Sequence, residues 1–256
     1  MNTSNKCNVL VIGAGRYTGI GADICRRIAS NGMNVVFTSC VDYDKKFINQ
    51  TNYDLLLDEI RQYNVVADWT NFDVRDQCNI NYVFDFAEGI FKSSVDVLVY
   101  CACYYVDDSL DDLSYEIINN NYEVNSKAPF MLCQEFYKRF HGTSGRIILI
   151  SSTQNLEPLT QSIAYGITKS TVPGIVYTLF PILGRKNITI NAVNPGPTRV
   201  GYNYETTNIP KSNLTFDRIG ETEDVVNLVE FLISTKGKWI TGQTINSEGG
   251  LIRNSN

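Results

Sequence analysis

The sequence predicts an α/β fold with a doubly wound parallel sheet, and three observations lead to it. Short β-branched runs alternate with amphipathic stretches from one end of the chain to the other. The runs are apolar at nearly every position, which is typical of strands buried on both faces of a sheet. No Pro/Ser-rich linker, internal repeat or low-complexity block divides the chain. We therefore expect residues 1–256 to form a single domain, with helices on both faces of the sheet.

Seven strands and six helices are expected to alternate. Each expected strand is a β-branched or apolar run, and these runs lie at Asn8–Ile12, Asn34–Ser39, Val65–Thr70, Val95–Cys101, Arg146–Ser151, Ile188–Asn194 and Gln243–Asn246. Each expected helix has apolar residues at helical spacing, and these segments lie near residues 19–31, 52–63, 76–92, 114–140, 162–184 and 222–235. The stretch 197–214 lacks a clear period and is expected to be a substrate lid, because long irregular segments in compact domains are usually functional.

Composition and charge exclude several classes of protein. An apolar fraction of 43% with 19% charged residues indicates a globular chain. The net charge is −5 and the basic residues are scattered, which argues against a nucleic-acid or anionic-membrane partner. No apolar run approaches the roughly 18 residues of a membrane-spanning helix, and the polar N-terminus lacks signal-peptide features, so we expect a cytoplasmic protein. Seven cysteines without a Cys-x-x-Cys pair are expected to be reduced thiols, and no metal site is predicted.

A glycine-rich turn joins the first expected strand to the first expected helix. Its sequence is Gly13-Ala-Gly15-Arg16-Tyr-Thr-Gly19-Ile20-Gly21. Glycines in such a turn let the backbone approach a pyrophosphate, and the helix N-terminus adds amide donors and a favourable dipole. Strand, turn and helix occur in the order that a dinucleotide site requires, so the sequence predicts such a site here.

The end of the second strand indicates which dinucleotide is bound. An acidic residue there, about 20 residues past the turn, would bind the ribose hydroxyls of NAD and repel the extra phosphate of NADP. Ser39 occupies this position, Cys40 follows it, and Asp42 comes three residues late. Because the carboxylate is missing, we expect NADP(H) to be favoured over NAD(H).

Three side chains near the fifth strand suit acid–base chemistry. Tyr165 and Lys169 are four residues apart at the start of a long expected helix, and therefore lie on one face. A tyrosine phenol has a pKa near 10, and a lysine cation one turn away favours the phenolate and brings that pKa toward neutrality. Ser152 follows the fifth strand, thirteen residues before Tyr165, and its hydroxyl can polarise a substrate oxygen.

Together with the glycine turn, the spacing of Ser152, Tyr165 and Lys169 resembles the signature of the short-chain dehydrogenase/reductase family. The chain is similar to bacterial 3-ketoacyl-carrier-protein reductases, and the resemblance runs from Val9 to about Gly250. It implies a Rossmann-type fold. The turn departs from the family's Gly-x-x-x-Gly-x-Gly pattern, since five residues rather than three separate Gly13 from Gly19.

The resemblance also implies roles for individual residues. Tyr165 would be the general acid in reduction, Ser152 would bind the carbonyl oxygen, and Lys169 would lower the tyrosine pKa and hold the nicotinamide ribose. Asn125 matches the family's fourth catalytic position, an asparagine that kinks its helix and holds a proton-relay water. The implied cofactor contacts are Arg16 at the 2′-phosphate, Asp73 and Val74 at the adenine, Ala102 beside the ribose, and Pro195, Gly196 and Thr198 at the nicotinamide.

One segment departs from the family pattern. After the fourth strand the family usually has Asn-Asn-Ala-Gly, whereas this chain has Tyr100-Cys101-Ala102-Cys103. Cys103 and Tyr104 are expected to narrow the space beside the cofactor ribose or to reshape the substrate pocket. We interpret the change as specialisation rather than loss of activity.

The sequence therefore predicts an NADP(H)-dependent oxidoreductase that reduces a ketone or other carbonyl to an alcohol. A tailoring step on a peptide or carrier-bound intermediate is a variant of this prediction. An NAD-dependent alcohol dehydrogenase and a non-catalytic dinucleotide-binding sensor are alternatives, whereas an epimerase or dehydratase would usually carry a further C-terminal domain. By resemblance we expect a homo-oligomer, a tetramer or dimer, that pairs the helices near 114–140 and 162–184.

Overall fold

The computed structural model describes residues 6–47, 51–76, 79–152, 158–201 and 209–253, and a parallel sheet forms its centre. The strands of the chain are β1 (Asn8–Ile12), β2 (Asn34–Ser39), β3 (Ala67–Asn71), β4 (Val97–Tyr100), β5 (Gly145–Ile150), β6 (Ile188–Asn194), β7 (Thr198–Arg199), β8 (Gly220–Glu221) and β9 (Thr244–Asn246). Seven of them form the main sheet in the order β3-β2-β1-β4-β5-β6-β9, all parallel. Strands β7 and β8 form a small separate pair. The predicted seven-stranded parallel sheet is confirmed.

Helices connect the strands and cover the sheet. They are α1 (Ile20–Ser30), α2 (Val41–Phe47), α3 (Tyr53–Arg61), α4 (Asn79–Phe91), α5 (Tyr115–Tyr122), α6 (Ala128–Arg139), α7 (Ile163–Lys169), α8 (Thr171–Gly184) and α9 (Thr222–Ile233). In the described part of the chain, none of them is long and apolar enough to cross a membrane.

Two apolar cores hold the helices against opposite faces of the sheet. Alternate residues of β1 belong to different cores: Leu10 and Ile12 pack with α4, α6 and α8, whereas Val9 and Val11 pack with α1, α3 and α9. Successive side chains of a strand point to opposite faces, so a strand that feeds both cores must be apolar throughout. This arrangement explains the unbroken apolar runs of the sequence.

The structure differs from several of the predicted elements. The expected helix 114–140 is two helices joined by a π-helical segment, Glu123–Lys127, and the expected helix 162–184 is divided at Ser170. Helix α2 was not predicted, because its seven residues, VDYDKKF, are largely polar. Strands β3 and β4 each begin two residues later than expected, although Val66 and Asp96, directly before them, already form backbone hydrogen bonds to the neighbouring strands.

The strand order places a crevice at one edge of the sheet. The chain leaves β1 toward β2 and β3 on one side and later returns to β4 on the other. At such a switch point the loops after neighbouring strands diverge to opposite faces, and ligands bind outside the carboxyl ends of the strands. The glycine turn after β1 and the segment after β4 meet at this point.

Candidate active site

A cleft of ≈ 630 Å³ lies at the carboxyl ends of the strands and gathers most of the residues that the sequence singled out. Its lining includes Gly13, Gly15, Arg16, Gly19, Ile20, Asp73, Val74, Ala102, Ser152, Tyr165, Lys169, Pro195, Gly196 and Thr198. Two predicted residues do not line it, Ser39 and Asn125, and both are buried behind it. The expected lid is described only in part, because residues 202–208 lie outside the described residues.

The glycine turn is packed so tightly that side chains do not fit at two of its positions. Gly13 has a φ of +92°, and a Cβ there would lie 2.5 Å from the backbone nitrogen of Ala102. A Cβ on Gly21 would collide with the carbonyl oxygen of Gly13. The departure from the family spacing expected above is wrong, because it counted from Gly13. Gly15, Gly19 and Gly21 have the spacing Gly-x-x-x-Gly-x-Gly, and Gly13 is a further glycine where β1 ends.

This turn fits the phosphates of a dinucleotide. Gly19 is the N-cap of α1, and a glycine places no side chain over the first amides of the helix. Those amides are unpaired within the helix and carry the positive end of its dipole, which favours an anion. Arg16 adds a cation to the same wall of the cleft.

Tyr165 and Lys169 come from helix α7, one turn apart, and Ser152 comes two residues after the end of β5; all three line the cleft. The Lys169 side chain is 2% exposed, and its Nζ donates a hydrogen bond to the carbonyl oxygen of Ile150 at 2.8 Å. Burial lowers the pKa of Lys169, because the charged ammonium is separated from water. The cleft therefore brings together the phenol of Tyr165, the ammonium of Lys169 and the hydroxyl of Ser152.

Asn125 lies within the π-helical segment and joins three parts of the structure. Its Nδ2 donates to the carbonyl oxygen of Tyr104 at 2.9 Å, and its Oδ1 accepts from the Tyr104 backbone N–H at 3.0 Å. Nδ2 also lies 2.9 Å from Oδ1 of Asn121 and 3.2 Å from the Thr168 hydroxyl. A π-bulge in a helix often marks a functional position, and this one holds the segment after β4 against helix α7.

The segment after β4 forms one wall of the cleft, as the departure from the family pattern suggested. Tyr100 is buried, and its hydroxyl donates to the carbonyl oxygen of Val124 at 2.5 Å. Cys103 and Tyr104 line the cleft, and the Tyr104 ring packs on the ring of Tyr43 at 5.5 Å between centroids. Tyr105 meets the ring of Tyr165 edge-on at 5.1 Å.

Two acidic residues that the sequence interpretation did not single out support this site. Asp108 is buried and accepts hydrogen bonds from the backbone N–H groups of Ile163 and Ala164, the first residues of α7. Asp44, on α2, lines the cleft and accepts a hydrogen bond from Ser39. Asp108 has no local sequence signal, since its partners are more than fifty residues away. The acidic first turn of α2 signals Asp44 only once that helix is recognised.

The turn after β6 closes the nicotinamide end predicted from the sequence. Gly196 has a φ of +60°, and its backbone N–H donates to Oδ1 of Asn194 at 3.0 Å. The Thr198 hydroxyl donates to the carbonyl oxygen of Pro195 at 2.9 Å. Among the described residues, no group of three or more His, Cys, Asp or Glu side chains could hold a metal ion.

The comparisons with known proteins agree with this fold and cleft. A family model described as enoyl-(acyl carrier protein) reductase matches residues 13–252. An uncharacterized oxidoreductase of Bacillus subtilis is 33% identical over 99% of this chain and 100% of its own length. A chloroplastic NADPH-dependent aldehyde reductase of Arabidopsis thaliana is 31% identical over 95% of this chain and 93% of its own. The crystal structure of a short-chain dehydrogenase of Burkholderia cenocepacia in complex with NADP superposes with a TM-score of 0.85 at 26% identity, covering 95% of this chain and 97% of that one.

A Rossmann-type sheet with a glycine turn and a Ser–Tyr–Lys cleft defines a nicotinamide-dependent oxidoreductase. The chain belongs to the short-chain dehydrogenase/reductase family. It is an NAD(P)-dependent enzyme that acts on CH–OH or C=O groups, and its relatives support carbonyl reduction.

Proposed function

We propose that this chain is an NADP(H)-dependent reductase that converts a ketone or other carbonyl to an alcohol. The observation that carries the proposal is the presence of Ser152, Tyr165 and Lys169 in the cleft that also holds the glycine turn. The choice of NADP(H) is supported by Arg16 in the cleft wall, by Cys40 in place of a carboxylate after Ser39, and by the relative named as NADPH-dependent.

The three side chains divide the acid–base work. The Ser152 hydroxyl donates a hydrogen bond to the carbonyl oxygen of the substrate, and the Tyr165 phenol gives that oxygen its proton. The Lys169 ammonium stabilises the phenolate that remains, since an opposite charge nearby favours the ionised form. The bound dinucleotide supplies the hydride. Asn125 keeps the wall beside Tyr165 in place through its two hydrogen bonds to Tyr104.

The described part of the cleft near Tyr165 favours a carbonyl attached to an apolar group. Tyr105, Leu159, Val200 and Ile209 line it together with Tyr165. Apolar and aromatic walls with a few polar groups are typical of small-molecule sites. A tailoring step on a peptide or carrier-bound intermediate stays one version of this proposal, and the residues that would decide it include 153–157 and 202–208, which lie outside the described residues.

Replacement of Tyr165 by phenylalanine tests the proposal. The purified protein is titrated with NADPH, and oxidation of NADPH is then followed with a panel of aldehydes and ketones. We expect Tyr165→Phe to lower kcat at least about a hundredfold, the lower end of what a general acid contributes, while NADPH binding is unchanged.

The matched control is Tyr63→Phe, which removes a hydroxyl from a tyrosine that is 48% exposed after α3, and it should leave kcat unchanged. Turnover that persists in Tyr165→Phe would contradict the assignment of the acid. NADPH binding without turnover of any carbonyl by the wild-type protein would favour the non-catalytic sensor.

A further inference from the structure

Helix α2 brings a carboxylate to the end of strand β2. Asp44 is 8% exposed and lines the cleft, although it lies five residues past Ser39 in the sequence. Its Oδ2 accepts a hydrogen bond of 2.5 Å from the Ser39 hydroxyl, and the Tyr53 hydroxyl on α3 lies 3.4 Å from the same oxygen. A short helix therefore supplies the acidic group that the sequence lacks at the strand end.

The same carboxylate lies against the glycine turn. A Cβ built on Gly15 would collide with Oδ2 of Asp44, which shows how close the carboxylate lies to the turn. In Rossmann-type sites the space between this turn and the end of β2 takes the ribose of the adenosine half, where a carboxylate binds the 2′-hydroxyl and an arginine accommodates a 2′-phosphate.

Arg16 and Asp44 act in opposite directions on this space. Both line the cleft; burial raises the pKa of the Asp44 carboxyl, and the charge of Arg16 favours its ionised form. A 2′-phosphate carries nearly two negative charges, so it is attracted by the guanidinium and repelled by the carboxylate. A 2′-hydroxyl is neutral and can donate a hydrogen bond to the carboxylate.

We propose that Asp44 is a specificity-determining residue that favours the unphosphorylated ribose and so limits the preference of this chain for NADP(H). The inference rests on the proposed function, because it requires a dinucleotide in this cleft. The wild-type enzyme would then distinguish NADPH from NADH only weakly, because the attraction of Arg16 for the 2′-phosphate is nearly offset by the repulsion from Asp44. We expect wild-type dissociation constants for NADPH and NADH that differ by less than about tenfold.

The test measures the dissociation constants of NADPH and NADH by isothermal titration calorimetry, so that it does not depend on turnover. In Asp44→Asn the ratio of the NADH constant to the NADPH constant should rise at least about tenfold, because the repulsion of the 2′-phosphate is removed and the charged acceptor for the 2′-hydroxyl becomes a weaker, neutral amide oxygen. Adenosine 2′,5′-bisphosphate and adenosine 5′-monophosphate should show the same change, which confines the effect to the adenosine half.

The matched control is Asp42→Asn, which removes the same charge from an exposed position of the same helix, and its ratio should stay within about twofold of wild type. Asp44→Glu keeps the charge and should restore a ratio near the wild-type value. An Asp44→Asn variant that binds both nucleotides with the wild-type ratio would overturn the inference and leave the proposed function standing.

Two further outcomes distinguish a failure of the role of Asp44 from a failure of the proposed function. If Asp44→Asn does not fold, the wild-type ratio decides alone, and a preference for NADPH of more than about tenfold would overturn the role of Asp44. If the wild-type protein binds neither nucleotide, the proposed function fails and the inference fails with it.

Discussion

Cys103, in the segment after β4, is a thiol in the wall of the cleft. It is partly exposed in the cleft wall, which Tyr43 from α2 and Lys169 from α7 also line. The family usually has a glycine here, so the thiol adds volume where a dinucleotide would pass. Cys133, in contrast, is 0% exposed in helix α6, and burial raises the pKa of its thiol to about 12.

This difference predicts the pattern of thiol alkylation. With iodoacetamide at pH 8, Cys103 should react while Cys133 stays unmodified, because only the thiolate is a nucleophile and the thiol of Cys133 is neutral at this pH. Saturating NADPH should slow the alkylation of Cys103 at least about fivefold, since the bound dinucleotide covers the thiol. Peptide mass spectrometry measures both sites in one sample, and Cys133 serves as the internal control. An unchanged rate at Cys103 in the presence of bound NADPH would place the dinucleotide away from this wall.

Among the helices, α7 carries the acid and is held at its first turn by a residue from another part of the chain. The N-cap position is Ser162, whose side chain makes no capping hydrogen bond. The carboxylate of Asp108 binds the first two amides instead, with a distance of 3.2 Å to that of Ala164. The backbone N–H of Asp108 in turn donates to the carbonyl oxygen of Gln161 at 3.1 Å. Asp108 thus fixes the angle at which α7 presents Tyr165 to the cleft.

Removal of this cap should therefore affect both stability and turnover. We expect Asp108→Ala to lower the free energy of unfolding by about 1–2 kcal/mol, the usual cost of a lost N-cap. It should also lower kcat about tenfold with little change in the NADPH dissociation constant, because Tyr165 loses its position while the glycine turn is untouched. Urea unfolding and steady-state kinetics measure the two effects.

Asp108→Asn keeps one oxygen acceptor and should recover most of both losses. Asp111→Ala, at an exposed position of the same loop, should change the unfolding free energy by less than about 0.5 kcal/mol. A loss of stability in Asp108→Ala at unchanged kcat would mean that the cap is structural only.

The main strands could be predicted because each is marked by the apolar pattern of its own segment. Strands β1, β2 and β6 have the bounds expected from their β-branched and apolar runs, and every residue of these strands is buried. Helix α2 could not be predicted, because its contacts are made by single side chains: Asp44 binds Ser39, and the hydroxyl of Tyr43 accepts a hydrogen bond from the backbone N–H of Tyr105 at 3.1 Å.

At the scale of the whole molecule, the cleft is assembled from the loops after six strands. The sequence motifs identified the glycine turn, Tyr165 and Lys169, because these residues follow fixed spacings within single segments. The motifs did not identify Asp44 and Asp108, because the roles of these residues depend on contacts with other segments of the chain. The predicted homo-oligomer stays a prediction; Phe130 on α6 and Tyr177 on α8 are exposed apolar side chains that such an assembly would cover.

A ligand that spans a cleft built from so many segments should stabilise the entire fold. With NADPH at about a hundred times its dissociation constant, linkage adds about 2.7 kcal/mol to the free energy of unfolding. For a chain of this size that corresponds to a rise in Tm of about 5–10 °C. Differential scanning calorimetry measures the shift.

The separate halves of the cofactor provide the control for this prediction. Adenosine 2′,5′-bisphosphate and nicotinamide mononucleotide, mixed at the concentration used for NADPH, should raise Tm by less than half as much. Each half binds alone, whereas in the intact dinucleotide the binding of one half gives the other a high effective concentration at its own end of the cleft. An equal rise with the mixture would mean that the Arg16 end and the Tyr165 end bind their ligands independently, which would contradict a single dinucleotide site extending between them.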